Sequence, residues 1–356
     1  MATKKKKTSK KAKAKSNSVQ KLVAVIGLMT LVVSAAIWVV IFKPNIDAKS
    51  EVKYLYVGSK DSYQDVAEKI AKHPAIKNPS NLLFILEQKN YPKLLKPGRY
   101  YLAPGMNNNE IANMLRSGDQ DEVRLLIKSV RDIESLASLL SSELEPDYES
   151  WYSLLTDTNT AKKYGFTLER FRTLFIPNTY YVYWSISPER FLERMAYEYK
   201  QFWTSEKINK AKALGLSQSD VQILASIVQK ESVKKDEYTT IAGVYYNRLK
   251  KKMRLQADPT LIYAAKDQNI RRVLNKHKKI DSPYNTYKYR GLPPGPICLP
   301  ETTVIDSVLN LKEHNFLYFC AREDFSGYHN FASNYNTHLQ NARKYQKALN
   351  QRGIFK

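Results

Sequence analysis

Cysteine is scarce in this chain. Only Cys298 and Cys320 occur among 356 residues, which excludes a disulfide framework and a cysteine-rich zinc site. Their apolar neighbours favour buried thiols. The five histidines form no HExxH pair, so no motif asks for a metal or a cofactor. With 12 glycines, 15 prolines and 43% apolar residues, the chain is neither collagenous nor disordered, and its length suits about two domains. Acidic residues are missing from the first 43 positions, where ten lysines stand. These are Lys4, Lys5, Lys6, Lys7, Lys10, Lys11, Lys13, Lys15, Lys21 and Lys43. The formal charge of +23 is thus concentrated in a tail rather than spread over a nucleic-acid-binding face, and no nucleic-acid partner is expected.

The tail runs into an unbroken apolar stretch, residues 22–42. At about 1.5 Å per residue it spans about 30 Å, the thickness of a bilayer's hydrocarbon core. A cleaved leader is the rival. Ser34, Ala35 and Ala36 are small enough for cleavage, yet Ile37, Trp38, Val39, Val40, Ile41 and Phe42 follow, and the run is too long for a leader's apolar segment. A single-pass signal anchor is therefore expected, with residues 1–21 as a cytoplasmic tail by the positive-inside rule. Everything after Lys43 then lies outside the cytoplasm, at the cell (inner) membrane.

The rest reads as α+β. After a linker at 44–50, residues 51–119 alternate short strands and helices in β-α-α-β order. Lys53 to Val57 forms a strand, and Asp61 or Ser62 caps a helix bearing Val66, Ala67 and Ile70. Pro79 and Ser80 open a helix with Leu82, Leu83 and Leu86, and Arg99 to Leu102 forms a second strand. Asn107 or Asn108 caps the next helix. Residues 120–350 are mostly helical with short strands, beginning with a strand at Val123 to Ile127. Tyr180, Tyr181, Tyr183 and Trp184 fit a core, or a surface that stacks on sugar faces.

The chemistry concentrates in residues 217–331. Ser219 can cap a helix whose stripe of Val221, Leu224 and Ile227 or Val228 ends at Glu231. A carboxyl on an apolar stripe loses hydration, which raises its pKa toward the range of a general acid. The plainer alternative is a helix-end glutamate paired with Lys235. Asp258 precedes Pro259 at a helix start, a capping signature, so its expected role is structural support rather than attack on an anomeric carbon. Asp236 and Glu237 look solvated among lysines. Two loops follow, Ser282-Pro283-Tyr284-Asn285-Thr286-Tyr287 and Gly291-Leu292-Pro293-Pro294-Gly295-Pro296-Ile297, restricted by proline and rich in stacking and amide groups. They can line a polysaccharide cleft or serve as structural turns.

At these residues the chain resembles a known family. Ala225-Ser226-Ile227-Val228-Gln229-Lys230-Glu231-Ser232, Ile241-Ala242-Gly243-Val244-Tyr245-Tyr246-Asn247-Arg248-Leu249, Met253-Arg254-Leu255-Gln256-Ala257-Asp258-Pro259-Thr260 and the two loops are similar to the MltG (YceG-like) endolytic murein transglycosylases. Pro177-Asn178-Thr179-Tyr180, Gly327-Tyr328-His329-Asn330-Phe331 and Asn336-Thr337-His338 match the same pattern. Three positions depart from it: Gln229 stands where the family often has glutamate, Ala257 where a small polar residue is usual, and Glu301 where glycine follows the proline.

The resemblance implies that residues 51–119 are a LysM-like module and residues 120–350 a catalytic domain with Glu231 as its catalytic glutamate. It implies a lyase reaction on peptidoglycan that leaves 1,6-anhydroMurNAc ends, a chemistry that needs one carboxyl and neither a metal nor a cofactor. Asn247, Gln256, Tyr284, Asn285 and Thr286 are expected to hold glycan, with Asp258 as structural support. A membrane anchor would set the enzyme beside peptidoglycan synthases. The rival readings are a glycan hydrolase using Glu231 with Asp258, and a non-catalytic wall-binding scaffold.

Overall fold

The computed structural model describes residues 3–128, 130–267, 270 and 273–353, with side chains from residue 20 onward. The chain divides into two compact units: residues 1–122 with 183–185, and residues 123–182 with 186–356.

The first unit opens with α1 (Thr3–Phe42), whose stretch Gln20–Phe42 is long and apolar enough to cross a membrane. Its large side chains stand exposed along most of that stretch, Leu28 at 65% and Leu31 at 67%, while Val40 and Ile41 at its end are half-buried. Two strands, β1 (Tyr54–Val57) and β2 (Gly98–Tyr101), pair antiparallel with Tyr54 opposite Tyr101 and Val57 opposite Gly98. Between them lie α2 (Tyr63–Lys72) and α3 (Pro79–Gln88), and α4 (Asn108–Ser117) follows. Ser62 and Asp65 close a capping box on α2, and Asn107 and Glu110 do the same on α4. Each box satisfies backbone donors that a helix start leaves bare. Val66, Ile70, Leu82, Leu86, Ile111 and Leu115 are fully buried between the strands and helices, each contributing about 1.5–3 kcal/mol.

The first half of the expected linker, residues 44–46, is built into the first unit instead. Asn45 is buried, its Nδ2 donates to Asn108 Oδ1 (2.7 Å) and Asn78 O (3.1 Å), and its Oδ1 accepts from Asn78 N (2.7 Å). Asn108 Nδ2 in turn donates to Val40 O (2.7 Å), while Val40 and Ile41 pack on the unit's core. Pro44 and Ile46 form bridges with Asn107 and Ile76. Polar asparagines hid this in the sequence: a burial signal is expected from apolar residues, whereas here amides satisfy buried backbone groups.

In the second unit, apart from the end residues Glu122 and Tyr183, β3 (Glu122–Ile127) pairs with β4 (Asn178–Tyr183), and β5 (Tyr318–Ala321) pairs with β6 (His329–Ala332). Along β4, Tyr180 and Val182 are buried while Tyr181 and Tyr183 are about half exposed, so the aromatic run splits by strand alternation between core and surface. Helices α5 (Ile133–Glu143), α6 (Tyr148–Thr156), α7 (Thr158–Lys163), α8 (Leu168–Phe171), α9 (Pro188–Phe202) and α10 (Ser205–Ala213) lead to α11 (Gln218–Glu231). Then come α12 (Tyr238–Lys250), α13 (Asp258–Ala264), α14 (Asn275–Lys278), α15 (Thr302–Leu309) and α16 (Tyr335–Gln351). Val221, Ile223, Leu224, Ala225, Ile227 and Val228 are all fully buried, which makes α11 the central helix of this core. Cys298 is buried and Cys320 half-buried, both as thiols.

Candidate active site

Ser217, not Ser219, caps α11, because Asp220 three residues on completes a capping box with it. Ser219 lies inside the first turn, with its Oγ 3.0 Å from Thr173 Oγ1. The core stripe then runs to the last residue of the helix, Glu231, which is half-buried. Burial pushes the Glu231 carboxyl up to about 7, and the Asp258 carboxylate adds to the rise. The hydroxyl of Tyr245 and the Arg248 guanidinium oppose it by favouring the charged form. The C-terminal end of α11 is also the negative end of the helix dipole, which further disfavours a carboxylate there. Lys235 does not pair with Glu231. It reaches Glu301 Oε2 at 3.7 Å instead.

The partners of Glu231 come from α12 and α13. Tyr245 Oη donates to Glu231 Oε1 at 2.5 Å, and the phenol is fully buried. Burial and the adjacent Glu231 carboxylate hold its hydroxyl well above the ordinary range, so it is a donor at any neutral pH. Arg248, three residues on and on the same face, is also buried. Its Nε donates to Leu317 O and its Nη1 to Leu255 O, both at 2.6 Å, which fixes the segment leading to Asp258.

Asp258 is not the cap of α13. Ala257 holds that position and offers no side-chain bond, while Asp258 is the first helical residue and is exposed. Its Oδ1 accepts from Tyr287 Oη at 2.5 Å. Proline at the second helical position supplied the misleading capping signal. With the donor-less Pro259 in the first turn and the Tyr287 hydroxyl in reach, the carboxylate has a better partner than a backbone N–H.

Most residues expected to hold glycan are committed to the protein itself. Asn247 Nδ2 donates to His314 O (2.6 Å) and Phe316 O (3.1 Å), holding that segment against α12. The close approach depends on Gly243, where a Cβ would meet Lys312 O at 2.6 Å. Asn285 is fully buried, its Nδ2 donating to Lys278 O and Ile280 O and its Oδ1 accepting from Tyr287 N and Lys288 N. Thr286 is buried, with Oγ1 accepting from Ala257 N (3.0 Å) and lying 2.8 Å from Thr260 Oγ1. Tyr284 packs on Tyr263, ring centroids 4.7 Å apart, and its hydroxyl lies over Gly295. Gln256 alone among them is exposed, beside Asp258, and its backbone sits in the left-handed region at φ 52°. Such a conformation is costly for a residue with a Cβ and clusters at functional sites.

Glu237 was missed. Far from being solvated, it is 6% exposed; its Oε1 accepts from His329 N (2.9 Å) and its Oε2 lies 2.8 Å from His329 Nδ1. It fastens the β5–β6 hairpin beside the end of α11, and Phe319 of that hairpin meets the Tyr245 ring edge-on at 5.8 Å. A long-range pairing of this kind leaves no mark in local sequence spacing.

The sequence pattern of the YceG-like family matches residues 55–344. The chain is 28% identical over 335 residues to a protein of Streptococcus pneumoniae serotype 2 (strain D39 / NCTC 7466) named endolytic murein transglycosylase, covering 84% of this chain and 60% of that one. A Bacillus subtilis (strain 168) protein of the same name is 41% identical over 129 residues, 36% of this chain and 35% of that one. The match thus spans less than two thirds of the length of either relative. In fold it resembles the crystal structure of a YceG-like protein from Listeria monocytogenes, with a TM-score of 0.53 at 24% identity over 81% of this chain and 97% of that one. With a match that runs through both units and takes in Glu231, Tyr245 and Asp258, the chain belongs to the YceG-like family.

Proposed function

We propose that this protein is a membrane-anchored endolytic peptidoglycan lytic transglycosylase with Glu231 as its acid and base. One observation carries the reading: Glu231 is a carboxyl drawn up to about 7 by burial, with a protonated donor on one oxygen. Such a group is half-protonated near neutrality and can give a proton and then take one. Glu231 protonates the glycosidic oxygen between MurNAc and GlcNAc, and the C1–O bond breaks with oxocarbenium character. The resulting carboxylate accepts the proton of the sugar's own 6-hydroxyl as O6 closes on C1. The acid is regenerated, the product is a 1,6-anhydroMurNAc end, and no water enters. Two relatives named endolytic murein transglycosylases support the substrate.

The first unit is read as a LysM-like wall-binding module on a single-pass anchor. A groove of about 580 Å³ between β1 and α2, lined by Tyr54, Tyr56, Asp61, Lys69 and His73, suits a sugar ring with polar edges. The lysine tail is cytoplasmic and the domains extracytoplasmic, beside the synthases whose strands the enzyme would cut. The test is Glu231→Gln in the full chain, assayed on isolated peptidoglycan. It keeps the side-chain volume and loses both proton steps, so turnover should fall at least about 10²–10⁴-fold. Turnover equal to wild type would remove the reading.

A further inference from the structure

We propose that Tyr245 is a positioning residue for the Glu231 proton: by donating to Oε1 it keeps the transferable proton on Oε2 and orients that oxygen toward substrate. This rests on the reading of Glu231 as the acid. The geometry is specific. A carboxylic acid has one proton and two oxygens, and an oxygen that accepts from Tyr245 Oη at 2.5 Å is a poor place to carry it. The phenol cannot turn away, because it is fully buried and its ring is held edge-on by Phe319 at 5.8 Å. The hairpin bearing Phe319 is itself held by the Glu237 grip on His329.

The bond also changes strength along the reaction. As Glu231 gives up its proton, Oε1 gains negative charge, and a hydrogen bond to a charged oxygen is roughly twice as strong as one to a neutral group. Stabilisation that grows toward the transition state raises kcat rather than merely tightening binding. The groups facing Glu231 are Tyr245 and Arg248 from α12 and Asp258 from α13, with Tyr287 reaching it through Asp258. α15 packs along the same helix, and Glu301, the residue before its first turn, meets Gln229, whose Oε1 accepts from Glu301 N.

The experiment measures kcat and KM against pH for the full chain in detergent, on uncrosslinked glycan strands. Wild type, Tyr245→Phe, a chain with 3-fluorotyrosine at 245, and Glu231→Gln are compared. Tyr245→Phe keeps the ring and its packing, so KM should stay within about twofold while kcat falls about tenfold or more. Losing the donor also makes the Glu231 proton harder to remove, so the alkaline limb moves to higher pH by about one unit. The more acidic fluorophenol donates more strongly and should move the limb to lower pH with the fold untouched. Limbs unmoved in both chains, with Glu231→Gln inactive, would overturn the role of Tyr245 and leave the acid in place. Activity in Glu231→Gln would overturn the acid itself.

Discussion

Tyr287 donates its hydroxyl to Asp258 at 2.5 Å, and the carboxylate so held raises the proton affinity of Glu231. Asp258 therefore acts on the site by its charge. Asp258→Asn keeps an oxygen for Tyr287 and removes the charge, so the Glu231 pKa should fall and the alkaline limb of the rate profile should move to lower pH. Activity near pH 5 should be close to wild type. A uniform loss of about 10²–10⁴-fold at every pH would instead make Asp258 a second catalytic carboxyl.

Stability should follow the same titration. The Glu231 carboxyl titrates near 7 in the folded chain and near its ordinary 4.5 when unfolded. Its raised value means that the contribution is fully present below about pH 4.5 and is lost as pH rises through about 7. Glu231→Gln removes the charge that burial penalises. It should unfold at a higher temperature than wild type at pH 8, by a difference of up to about 3 kcal/mol in stability, and at the same temperature near pH 4. Equal melting at pH 8 would mean that the carboxyl is not buried as described.

The anchor should be stiffly joined to the first unit. Asn108 bonds Val40 O at the end of α1 and accepts from Asn45. Asn108→Ala removes both bonds and leaves Asn45 and Val40 O short of partners, a loss of about 1–3 kcal/mol. Hydrogen exchange at Asn45 and Asp47, whose amides bond to Met106 O and Ala75 O, should quicken by about tenfold or more. Unchanged exchange would mean that the joint is held by apolar packing of Val40 and Ile41 alone.

What could be read from the sequence was whatever depends on local spacing. The helices and strands of the first unit lie where periodicity and capping residues put them, and Glu231 ends an apolar stripe as its spacing says. Burial of polar groups was not readable. Asn45, Glu237, Asn285 and Thr286 are all buried, although their sequence surroundings suit a linker, a solvated charge or a ligand contact. A buried amide is written in sequence like an exposed one, and only its partners distinguish them. The motif around Asn285 and Thr286 shapes the loop that carries Tyr287 to Asp258, so its role is one step behind the chemistry.

The central claim is that Glu231 serves both proton steps and that the sugar's own 6-hydroxyl, not water, closes the reaction. Mass spectrometry of fragments released from peptidoglycan by the full chain in heavy-oxygen water tests it most directly. Anhydro-muramyl ends are expected, each lighter by one water than a hydrolysis product and free of heavy oxygen, and none from Glu231→Gln. Reducing ends carrying one heavy oxygen would contradict it and make the protein a hydrolase.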